Sequence, residues 1–170
     1  MAGKFILIKE KSASDVSSLD LTNCFKAEYN LYEVITTVKI PSGSSVSNVR
    51  QRFLDSSGSA ITASEYNAGT WRVDQYNAVE YATNRDYMNT GVFNGADSLV
   101  NIRHSIANPY ASDRYTTGYS SRYMDLASPR DRAFYGLEGL KNVQRVTGIQ
   151  TYGTGGNIDV NIVCYGYEES

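Results

Sequence analysis

The sequence predicts an all-β protein: a single antiparallel β-sandwich, jelly-roll or Greek-key like, with long loops in its middle third. Two observations carry that reading. The first is alternation. From Gly155 to Tyr167 apolar and polar residues succeed one another almost without error, which places Ile158, Val160, Ile162 and Cys164 on one buried face of a strand. The same beat of two returns in Tyr32, Val34, Thr36, Val38 and Ile40, in Val49, Gln51 and Phe53, in Val100, Ile102, His104 and Ile106, and in Val143, Arg145, Thr147 and Ile149. A helix would repeat its apolar positions about every 3.6 residues instead. The second observation is punctuation: the runs are separated by clusters of Gly, Ser, Asn and Pro, with no internal repeat of the kind a propeller requires.

Taken in order, the chain opens with a strand at Phe5 to Glu10, then a Lys/Ser/Ala turn, then a second strand from Val16 to Thr22. A long strand from Tyr29 to Ile40 is closed by Pro41-Ser42-Gly43-Ser44-Ser45, because proline cannot donate to a ladder and glycine tolerates positive φ. Val46 to Asp55 returns, so the two long strands are expected to form a hairpin pair. Asp55-Ser56-Ser57-Gly58-Ser59 turns the chain before Ile61.

From Tyr66 to Pro129 the regularity loosens. Trp71 and Val73 lie in one strand, breaks fall at Asn84-Arg85-Asp86, Asn89-Thr90-Gly91 and Asn94-Gly95, and Leu99 to Ile106 forms a well-patterned strand. Tyr115, Tyr119 and Tyr123 are spaced by four; Thr116-Thr117-Gly118 and Ser120-Ser121 between them resist a helix, so they are placed on one face of a strand. Leu137 to Val143 and Tyr76 to Tyr81 carry a helical suggestion too short to stand alone. Leu140 to Tyr152 and Gly155 to Tyr167 read as a closing strand pair across Gly153-Thr154-Gly155-Gly156, whose glycines mark a hairpin or bulge. The total is about eight or nine strands.

At 170 residues the chain is expected to be a single β-sandwich domain spanning 1–170, large enough to bury a continuous core. A formal net charge of −2 and a pI near 5.4 supply no field for nucleic acid, so no nucleic-acid partner is expected. No apolar run reaches the roughly 20 residues of a membrane helix. The opening Phe5-Ile6-Leu7-Ile8 is too short for a signal-peptide core, so no membrane insertion and folding in a cytosol are expected. There Cys24 and Cys164 read as small buried apolar residues, the alternative being a bridge from an early strand to the last one.

Two stretches resemble a family of small virion proteins of tailed, many of them marine, bacteriophages. At the start these are Leu7-Ile8-Lys9-Glu10-Lys11-Ser12-Ala13-Ser14, Ser17-Ser18-Leu19-Asp20-Leu21-Thr22 and Tyr29-Asn30-Leu31-Tyr32-Glu33-Val34. At the end it is Val146-Thr147-Gly148-Ile149-Gln150 followed by the alternating strand to Tyr167. The resemblance covers the outer thirds and implies a β-sandwich component of a virion, in the tail, in a fibre or on the capsid surface, with virion as the location and no catalytic set to transfer.

The residues themselves offer little chemistry. His104, the lone histidine, falls in phase with apolar neighbours and reads as a core or interfacial imidazole with one nitrogen hydrogen-bonded. No Gly-x-Ser-x-Gly elbow presents a nucleophile, and the acids Glu65, Asp74, Glu80, Asp86, Asp97, Asp113 and Asp125 read as solvated loop charge, the alternative being a carboxylate pair of a polysaccharide depolymerase. No metal, cofactor or catalytic residue is expected, and the chain is read as not an enzyme.

Tyrosine is the compositional outlier, 14 against five Phe and one Trp, in a background rich in Ser, Asn and Gly. The tract containing Tyr110, Arg114, Tyr115, Tyr119, Arg122 and Tyr123 is the candidate contact surface, because tyrosine offers rigid area with a polar handle and arginine a planar donor fork. Its expected partners are other virion proteins and further copies of the chain, as a homo-oligomer such as a trimer, with a host-surface glycan as the rival. The structural alternative is that the rings fill the core or pad its edge. The expected role is thus a structural building block of the virion acting by protein–protein assembly, with a receptor- or glycan-binding adhesin module and a capsid decoration protein as alternatives.

Overall fold

The computed structural model describes residues 3–73, 79–88, 98–125 and 132–169. Its strands are β1 (Lys4–Val16), β2 (Ser18–Leu21), β3 (Leu31–Lys39), β4 (Asn48–Asp55), β5 (Tyr66–Val73), β6 (Val79–Arg85), β7 (Leu99–Ala107), β8 (Thr117–Asp125), β9 (Arg132–Leu140), β10 (Val146–Thr154) and β11 (Ile158–Glu168). They form two sheets, an eight-stranded one ordered β1-β11-β3-β7-β8-β9-β5-β6 and a three-stranded one ordered β2-β10-β4. All pairings are antiparallel. The last strand returns to lie between β1 and β3.

One apolar cluster fills the space between the layers. Val34, Val38, Val100, Ile102, Ile158, Ile162 and Cys164 from the large sheet meet Leu19, Leu21, Val49, Phe53 and Ile149 from the small one. Along β11 the burial alternates residue by residue as the pattern requires. Gln51 bridges the layers within this core, its Nε2 donating to Thr36 Oγ1 of β3 at 2.9 Å and to Thr151 Oγ1 of β10 at 3.0 Å.

Two expected hairpins prove to be arches between layers. β3 and β4 lie in different sheets, as do β10 and β11. The alternating pattern reports which face of a strand is buried but not which neighbour it pairs with, and Ile40, Val46 and Ile158 turn inward at the arches to continue the core. Gly155, at φ +90°, approaches the Ser45 carbonyl so closely that a Cβ would sit 2.9 Å from it, and Ser45 Oγ donates to Gly155 O, which ties the two arches. The helical suggestion at Leu137 to Val143 is also corrected. Leu137 to Leu140 close β9, which is hydrogen-bonded on both sides by β8 and β5, and the chain then turns into β10. The expected breaks at 89–91 and 94–95, and the first residues of the Tyr76 to Tyr81 segment, lie outside the described residues.

The edge strand β4 shows how unpaired backbone is covered. Met88 N donates to Gln51 O at 2.8 Å, Ile61 N donates to Phe53 O at 2.9 Å, and Phe53 N donates to the buried Tyr66 hydroxyl at 2.8 Å. That hydroxyl in turn donates to Ile61 O at 3.2 Å, and burial pushes its pKa well above the usual phenol range. Tyr66→Phe leaves a buried amide without its acceptor and is expected to cost about 1–3 kcal/mol, seen as a lower urea midpoint at unchanged m-value.

Candidate functional interface

β7, β8, β9 and β5 are the part of the large sheet whose two faces both carry unusual side chains. On β8 the odd-numbered Tyr119, Ser121 and Tyr123 point outward and the even-numbered Ser120 and Arg122 inward. On β9 Tyr135 and Leu137 point outward and Phe134 and Glu138 inward.

The outward face is an exposed aromatic and apolar band. Trp71 pairs with Tyr135 across β5 and β9, their rings 6.1 Å apart, and Leu137 pairs with Tyr119 across β9 and β8. Leu137 is 69% exposed and Tyr115, just ahead of β8, is 55% exposed. A groove of about 420 Å³ runs between Ile35, Asn101, Arg103, Tyr123 and Tyr135, and a larger one of about 810 Å³ lies beside Gly69, Tyr115, Thr117 and Leu137. At the groove's far wall Arg103 is paired with Glu33, whose other oxygen accepts from Ser105 Oγ at 3.1 Å, and this pairing holds Arg103 above the usual guanidinium range.

The inward face of the same strands holds a buried charge network. Glu138 receives the Arg122 guanidinium and Ser120 Oγ on one oxygen, the latter at 3.2 Å, and the His104 Nε2 on the other at 3.1 Å. Arg122 Nη2 also donates to Ser120 Oγ at 2.6 Å. The guanidinium has room because residue 136 is glycine: a Cβ there would stand 3.2 Å from Ser120 Oγ and 3.3 Å from Arg122 Nη2. Burial, and then the Arg122 charge, push His104 down to about 3, with Glu33 opposing, so the imidazole is neutral at physiological pH. Burial pushes Arg122 down to about 9, which leaves it charged. Among the described residues His104 Nδ1 and Arg122 Nε and Nη1 have no hydrogen-bond partner.

The predicted contact residues therefore separate. Tyr115, Tyr119 and Tyr123 come together on the outward face. Arg122 does not join them: strand alternation turns it into the interior, and its expected surface role is corrected. Tyr110 lies elsewhere, its ring 4.7 Å beneath the Arg145 guanidinium, and Arg114 is exposed in the connection ahead of β8. Sequence reasoning missed Trp71, Tyr135 and Leu137 on the outside and Glu138 on the inside. His104 is the core imidazole with one bonded nitrogen that its phase indicates. Among the described residues no group of acids, histidines and cysteines is arranged to hold a metal ion.

No family model matches this chain, and no curated protein matches it. Among solved structures the chain is similar to an alginate lyase mutant in complex with an alginate trisaccharide, at 11% identity and a TM-score of 0.32, over 97% of this chain and 80% of that one. The expectation that the chain is not an enzyme is not upheld by this comparison, in which the similar structure is that of an enzyme. A TM-score of 0.32 carries no argument for a particular reaction or for catalytic residues.

Proposed function

We propose that this chain is a structural component of a bacteriophage virion, in the tail, in a fibre or on the capsid surface, and that it assembles with itself and with other virion subunits through the outward face of β5, β9 and β8. The observation that carries this reading is the contiguous band of Trp71, Tyr119, Tyr123, Tyr135 and Leu137, large apolar side chains held on a rigid sheet and left exposed. Such a patch on a single chain is the signature of a contact surface. The resemblance of the outer thirds to phage virion proteins supplies the context.

A second reading, a host-glycan-binding module on the same fold, draws on the groove where the Tyr123 and Tyr135 rings stand beside Asn101 and Arg103. The two readings separate by substitution. Leu137→Arg lies outside that groove and is expected to weaken self-association about 30-fold, as an anchor worth about 2 kcal/mol does, without affecting glycan-array binding. Association unchanged by Leu137→Arg and by Tyr119→Arg would remove the assembly role from this face. Array binding abolished by Tyr123→Ala would favour the module.

A further inference from the structure

Cys24 and Cys164 stand at opposite ends of the sequence, and the fold brings them together. Cys24 follows Asn23, which sits in the left-handed region at φ +53°, in the turn after β2. That turn is pinned to β10, with the Cys24 and Phe25 amides donating to Thr147 O at 2.9 and 3.2 Å. Cys164 lies on the inner face of β11, paired with Val34 of β3. Both residues are fully buried and both thiols are free. Cys164 Sγ donates to the Cys24 carbonyl at 3.7 Å, and Cys24 Sγ to the Leu21 carbonyl at 3.4 Å. A hydrogen bond with the Cys24 side chain and then burial push the Cys164 thiol up, so in the folded chain Cys164 stays protonated and a poor nucleophile.

From this juxtaposition we infer that Cys24 and Cys164 form a latent disulfide site, which closes by thiol–disulfide exchange with a small-molecule disulfide when the chain folds under oxidising conditions. During folding, before the core excludes the reagent, one cysteine thiolate attacks oxidised glutathione and expels a glutathione thiolate, leaving a mixed disulfide. The second cysteine thiolate then displaces the second glutathione. The two protein thiols together give up two protons and two electrons, and oxidised glutathione is reduced to two thiols. The bridge would tie the turn after β2, in the small sheet, to β11 of the large sheet. It would close a loop between positions 140 apart in sequence, the long-loop case in which a cross-link most restricts the unfolded chain. The inference is independent of the assembly role.

The test is to refold the denatured, reduced full chain in a buffer of oxidised and reduced glutathione and to compare it with chain refolded in reductant. The expected product is a monomer on a non-reducing gel, lighter than the reduced chain by the mass of two hydrogen atoms, with no thiol titratable in denaturant and a melting temperature higher by about 10 °C. Cys24→Ala and Cys164→Ala, prepared in the same way, should each lack the rise in melting temperature. Two titratable thiols, stable glutathione adducts or disulfide-linked dimers in the refolded wild type would overturn the inference.

Discussion

Glu138→Gln is expected to destabilise the fold by about 3–5 kcal/mol, the cost of leaving one member of a buried ion pair without its counterion. Glu138 is 2% exposed in its side chain and Arg122 is fully buried, so water cannot take the place of the lost charge. Arg122 already has two nitrogens without a partner, and no other carboxylate is paired with it among the described residues. Urea denaturation at neutral pH gives the loss directly. The double variant Glu138→Leu with Arg122→Met should recover most of it, because removing both charges also removes their desolvation penalty. A loss under about 1 kcal/mol for Glu138→Gln would mean that the pair is not held as described.

Acid is expected to weaken the protein through His104. In the unfolded chain the imidazole titrates near 6.5, whereas in the fold burial and Arg122 hold it near 3. The folded value is the depressed one, so between these limits the unfolded chain binds the extra proton and stability falls as pH falls. The contribution is fully present above pH 6.5 and declines below it by about 1.4 kcal/mol per pH unit. Between pH 7 and pH 4.5 the loss from His104 alone is about 2–3 kcal/mol. His104→Gln retains an amide donor for Glu138 without a group that titrates in this range, and its stability should be nearly flat over the same interval. Wild type and variant falling in parallel would assign the acid sensitivity to other groups.

Much of this architecture is legible in the sequence because alternation in a strand is a local property. The inner face of β11 and the phase of His104 on β7 follow from counting by two. So does the separation of Arg122 from Tyr119 and Tyr123, since a residue next to an outward tyrosine on a strand must point inward; treating the tract as one surface overlooked that parity. Pairing is not local. Nothing in the segment around Glu138 announces that β9 lies against β8 in the register that brings its carboxylate to Arg122, or that Trp71 meets Tyr135. The arches at 40–47 and 155–157 are built of the same Gly, Ser and Asn residues as hairpin turns, and only the closing of the two layers distinguishes them. The pairing of Cys24 with Cys164 is not legible for the same reason: their proximity depends on the turn after β2 and the strand β11 facing each other across the two layers.

Sedimentation velocity of this chain over a wide concentration range, beside Leu137→Arg, bears most directly on the outward face of the large sheet. A defined wild-type oligomer, a trimer or larger, that reverts toward monomer in the variant is the expected result. A wild-type chain that remains monomeric at the highest concentration would contradict the role given to that face.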